Sequence, residues 1–107
     1  MVKLVTLYEN IDDSRSFDQH YQTVHIPLLK KYPGLRRLET TRITGATPGE
    51  TRFSRMTELY FDSQDAMDTA LASPEGKAVT RDLMTFAGDL AMVFFGEIDG
   101  EPPSDQS

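Results

Sequence analysis

Near its C-terminal end the chain carries the run LAMVFFGEI, Leu90 to Ile98. Side chains on a strand alternate between faces, so Met92 and Phe94 point one way and Val93 and Phe95 the other. Both faces of a sheet containing this strand must therefore be covered, and one layer of helices covers only one of them. This reading places the run at the centre of a sheet. It also calls for a second cover, most simply another copy of the chain laid sheet face to sheet face.

The other segments set the order of elements. Val2 to Tyr8 is a β-branched and apolar strand. The polar loop ENIDDSRS follows, with Asp13, Ser14 or Ser16 available as a helix N-cap. Apolar positions 17, 21, 24, 28 and 32 recur at helical spacing, and Pro33-Gly34 ends that helix. Leu35 to Thr44 and Ser54 to Phe61 read as two strands of a hairpin joined by GATPGETR. A helix then starts from Asp62 or Ser63. It restarts at Ser73, with Pro74 at the first helical position, and Gly88 is its stop. The pattern is β-α-β-β-α-β, an α+β, ferredoxin-like arrangement: a four-stranded antiparallel sheet with helices on one face. Residues 1–98 form one domain, and 99–107, DGEPPSDQS, have the composition of a flexible polar tail.

Composition excludes several classes of function. The 107 residues include no cysteine, so disulfides, thiolate metal sites and a cysteine nucleophile are ruled out. Eleven basic residues stand against seventeen acidic ones, a net charge of −6 that repels a phosphate backbone. Nucleic acid is not an expected partner. The start MVKLVTLYEN lacks a long apolar core and a cleavage site, and no run approaches membrane-spanning length. The expectation is a soluble cytoplasmic protein without a membrane partner. There is no glycine-rich phosphate loop and no nucleophile elbow.

Both histidines lie in FDQHYQTVHIPLLKKYPG, Phe17 to Gly34. On an ideal helix His20 and His25 point about 140° apart, whereas helical metal ligands want a spacing of three or four. A metal pair is therefore not expected. His20 and His25 fall on opposite shoulders of the buried stripe, and His20 reads as an edge residue. Pro27 cannot donate to the carbonyl of Thr23 and biases Ile26 away from helix, so the helix is expected to loosen beside His25. His25 is then either a semi-buried structural imidazole or an acid/base group.

The run Phe17-x-x-x-Tyr21-x-x-x-His25-x-Pro27-Leu28, followed by Pro33-Gly34-Leu35, resembles the helix-one signature of the EthD family. That family is named for ethyl tert-butyl ether degradation and belongs to the dimeric α+β-barrel superfamily. The likeness extends to VKLVTLY at the start, to SPEGKAV at Ser73 to Val79 and to FAG at Phe86 to Gly88. It implies a ferredoxin-like protomer, a homodimer through the sheet faces, and neither metal nor organic cofactor. It also implies a pocket between sheet and helices that His25 faces. Family relatives include accessory proteins of ether-degrading monooxygenases and polyketide-modifying dehydratases or decarboxylases, and the sequence does not select among them.

Around His25, Tyr21 is a possible partner one turn earlier. Tyr8, Tyr60 and Phe94 are candidate substrate contacts. Arg42, like Arg37, could hold an anion or pair with Glu39 and Glu58. Three functions are compatible with these residues. One is a cofactor-free enzyme acting on a small, largely apolar organic molecule through His25. Another is a non-catalytic carrier or accessory protein serving a monooxygenase pathway. The last is a structural dimer with a closed core.

Overall fold

Strand β1, Val2–Glu9, pairs antiparallel with two neighbours, β3 (Phe53–Phe61) on one side and β4 (Ala91–Glu97) on the other. Strand β2, Arg37–Arg42, pairs with the outer side of β3, giving the order β2-β3-β1-β4. The structure, a computed structural model, describes residues 1–10 and 14–100. The expected cap at Asp13 and most of the polar tail, 101–107, lie outside these residues.

Register fixes which residues share a face. Leu4 stands opposite Leu59 and Phe95, and Thr6 opposite Thr57 and Val93. Val2, Leu4, Leu59 and Phe61 pack with Leu29, Tyr32, Met67, Ala70 and Val79 from the helical layer, so this is the helix-covered face. Lys3, Val5, Tyr60 and Phe94 therefore lie on the opposite one. The expected architecture is the observed one: α+β, ferredoxin-like, with a four-stranded antiparallel sheet. One expectation is corrected. The apolar run of β4 is an edge strand and not a central one, since β1 occupies the inner position. Met92, Val93, Phe94 and Phe95 are all exposed in the single chain.

Helix α3 (Gln64–Ala72) begins where Ser63 Oγ accepts the N–H of Ala66 at 3.1 Å. Helix α4 (Pro74–Phe86) begins where Ser73 Oγ accepts the N–H of Gly76 at 3.0 Å. Each serine satisfies an amide that the first helical turn leaves without a partner. Gly76 permits the tight α3–α4 junction, because a Cβ there would collide with the carbonyl oxygens of Ala70 and Leu71.

The first helical region is not one α-helix. It consists of α1 (Ser14–His20), a π-helical turn (Tyr21–His25) and α2 (Ile26–Leu29). Ser14 and Ser16 are inside α1, so neither is its cap. The N–H of Ile26 reaches five residues back to the carbonyl of Tyr21. The next residue, Pro27, has no N–H to give, so widening the turn by one residue accommodates the missing donor. The helix ends at Leu29, before Pro33-Gly34, and Gly34 takes the left-handed φ of 77° in the following turn.

Candidate functional site

The widened turn changes the phase of everything after it. Residues five apart across a π turn come nearly above one another, whereas on an α-helix they diverge. His20 and His25 consequently reach the same carboxylate, Asp82 of α4. His20 Nε2 lies 2.8 Å from Asp82 Oδ1, and His25 Nδ1 lies 2.9 Å from Asp82 Oδ2. A carboxylate only accepts, so each facing imidazole nitrogen is the donor. This corrects the placement of His20 as an edge residue on the shoulder away from His25. One turn along α4, Phe86 packs its ring 4.7 Å from both imidazoles, stacked on His20 and tilted against His25.

The two histidines differ in exposure. The side chain of His20 is 33% exposed and that of His25 is 2% exposed. Burial pushes the His25 pKa below the usual imidazole value, a shift opposed by the hydrogen bond to Asp82 and by its charge. His25 is therefore mainly neutral at neutral pH, with its proton on Nδ1. Its Nε2 makes no hydrogen bond among the described residues. Yet no buried side-chain nitrogen or oxygen there is sealed off without a partner, so Nε2 retains access to open space.

His25 lines a cavity of about 290 Å³ between the sheet and the helices. Its floor contains the facing pair Thr6 and Thr57, its polar end has Tyr8 and His25, and its walls are mainly leucine and valine. Among the residues lining it, no side chain carries a permanent charge. Val93, Phe95 and Met84, all exposed, lie on its β4 and α4 sides and form its mouth. A larger hollow of about 410 Å³ lies at the 43–53 loop, and neither histidine lines it.

Tyr21 stands behind the cavity. Its hydroxyl shares a hydrogen bond of 2.6 Å with Thr57 Oγ1, and its ring meets Tyr8 edge-on at 5.4 Å. Arg55 lies 5.1 Å over the Tyr21 ring and is held by Asp18 through Nε at 3.0 Å and Nη2 at 2.8 Å. Burial raises the pKa of both Tyr8 and Tyr21, so both hydroxyls stay protonated. Burial also pushes Tyr32, another lining residue, up to about 12.

Of the residues singled out from the sequence, His25 and Tyr8 line the cavity and Tyr21 supports it from behind. Tyr60 and Phe94 lie on the other sheet face. Tyr60 donates to Glu39 at 2.8 Å there, and Arg37 pairs with the same Glu39. Arg42 is exposed at the end of β2 and does not line the cavity. Asp82 was not singled out from the sequence, although one signal for it is present. It sits between Val79 and Phe86 at helical spacing, on the inward face of α4, where a carboxylate needs a partner.

Fold and site together define a ferredoxin-like protein with a buried imidazole–carboxylate pair at the polar end of an apolar cavity. Residues 13–89 match the EthD domain model. The chain resembles the crystal structure of an ethyl tert-butyl ether degradation (EthD) family protein from Bacillus halodurans. That match has 45% identity and a TM-score of 0.88, covering 92% of this chain and 98% of the other. An uncharacterised 11.0 kDa protein of the thcB–thcC intergenic region of Rhodococcus erythropolis is 30% identical over 98 residues. The match covers 91% of this chain and 95% of that protein. The cofactor-independent oxygenase SnoaB of Streptomyces nogalater, solved as a mutant, shares the fold at 16% identity and a TM-score of 0.69. That match covers 96% of this chain and 97% of SnoaB. The chain belongs to the EthD family, as the helix-one resemblance implies.

Proposed function

We propose that the protein binds a small, neutral, largely apolar organic molecule in the 290 Å³ cavity and moves a proton on it with His25. The observation that carries this reading is the asymmetry of the His25 ring. Nδ1 is held by Asp82, Nε2 has no hydrogen-bond partner among the described residues, and His25 lines the cavity. A neutral imidazole whose far nitrogen is fixed by a carboxylate is equipped to accept a proton at the near one. In this reading Tyr8, which also lines the cavity, orients a polar group of the ligand. Proton transfer of this kind opens an isomerisation, a dehydration or a cofactor-free oxidation. The last is the activity named for SnoaB, which shares the fold. The uncharged lining gives least support to decarboxylation, whose substrate is an anion.

Two further parts belong to this reading. Two copies pair through the sheet face turned away from the helices, covering Met92 and Phe94, each 43% exposed in the single chain. The charges on that face are already matched, Lys3 with Glu58 at 2.7 Å and Arg37 with Glu39 at 2.8 Å, which lowers the cost of covering them. Among the described residues no helix is long and apolar enough to cross a membrane, and the setting that goes with the reading is the cytoplasm.

The test is ligand capture: thermal-shift screening of neutral aromatic and polyketide-like compounds against the protein and against Val93→Trp. Val93 is 41% exposed at the mouth, so the variant narrows entry without disturbing the core. The reading expects stabilising compounds whose effect weakens in Val93→Trp. A panel that shifts neither protein, or both equally, contradicts it. Binding with no product from any captured compound would leave the accessory role.

A further inference from the structure

We propose that His20 is a positioning residue for the candidate site: by holding the second oxygen of Asp82, it fixes His25 with Nδ1 protonated and Nε2 free. The proposal rests on the reading of His25 as the proton-transfer group and extends it to a residue that does not line the cavity.

The terminal angle of Asp is broad and roughly two-fold, so a carboxylate with one hydrogen-bond partner can swing. With only His25 attached, Asp82 could rotate away from Nδ1, and the ring could turn over or exchange tautomer. His20 Nε2 on Oδ1 at 2.8 Å and His25 Nδ1 on Oδ2 at 2.9 Å use both oxygens and leave the carboxylate one orientation. Phe86 prevents the rings from escaping by packing 4.7 Å from each. The π turn is what brings both donors to one acceptor. His20 therefore gives the widened helix a function beyond accommodating Pro27.

Nitrogen-15 NMR of the imidazole rings in the full chain reads the tautomer directly and needs no substrate. Three variants separate the contributions. His20→Phe keeps a ring on Phe86 and removes the donor, His20→Gln keeps an N–H donor and removes the ring, and His20→Ala removes both. Asp82→Ala, which removes the acceptor, serves as the reference for a disrupted pair. The wild type is expected to show His25 as one Nδ1–H tautomer, and His20→Gln to retain it. His20→Phe and His20→Ala are expected to show mixed tautomers approaching the Asp82→Ala spectrum. Should His20→Phe not fold, His20→Ala carries the same comparison, with His20→Gln as the conservative rescue. A wild-type His25 spectrum in His20→Phe and His20→Ala, with Asp82→Ala altered, overturns the role of His20 alone. A wild-type spectrum in Asp82→Ala overturns the dependence of His25 on Asp82 and the proposal with it. Neither result depends on turnover, so failure here is distinct from failure of the acid/base reading.

Discussion

His25 and Asp82 make opposite demands on the folded chain, and both can be measured. Folding lowers the His25 pKa below about 6.5, chiefly through burial. Between the folded and unfolded values the unfolded chain binds more protons, so stability falls as the pH falls through that window. Urea unfolding between about pH 8 and pH 5 should show this decline, and His25→Gln should flatten it. Equal slopes for the two proteins would mean that His25 is not a neutral buried imidazole. Asp82 has the converse role, because removing it orphans two N–H donors, one of them buried. Asp82→Ala should cost about 1–3 kcal/mol in the same assay, and Asp82→Asn less. Little of this pair was legible beforehand. Pro27 and the helix-one resemblance drew attention to His25, but Asp82 lies 57 residues away in sequence, and a straight helical wheel sends His20 in the wrong direction.

Local chemistry made the elements readable. Ser63 and Ser73 cap the helices that the sequence assigns to them, because a cap is settled by residues within one turn. Ser73→Ala should therefore cost about 0.5–2 kcal/mol. Gly76→Ala should cost about 1–3 kcal/mol despite the higher helix propensity of alanine, since its methyl group meets two carbonyls. Thermal melts decide between propensity and crowding: a stabilised Gly76→Ala would show that the α3–α4 junction yields. Helix one was harder to read. Pro27 signalled a disturbance, but whether a proline bends, ends or widens a helix depends on what the neighbouring carbonyls find. Here Ile26 reaches Tyr21, and the turn widens.

At the scale of the molecule, the sequence conveyed that both faces of β4 require cover but not where β4 sits. Strand order is set by pairings far apart in sequence, and hydrophobicity alone does not separate a central strand from an edge strand with two apolar neighbours. At the edge, Val93 and Phe95 border the cavity mouth, while Met92 and Phe94 face away from the helices. The paired-sheet reading expects a dimer by light scattering and its conversion to monomer in Phe94→Glu. Phe94 is already 43% exposed in the single chain, so this substitution spares the protomer's own core. A wild-type monomer would contradict the pairing, and an unaffected Phe94→Glu dimer would place the interface elsewhere.

The central claim is that His25 Nε2 exchanges a proton with a molecule held between sheet and helices. Its most direct test is kcat/KM for a captured compound that the wild type converts, compared with His25→Gln at pH 7. The account predicts a loss of about 10²–10⁴-fold, the range for a general acid/base, with binding of the compound retained. Turnover by His25→Gln at the wild-type rate would contradict it.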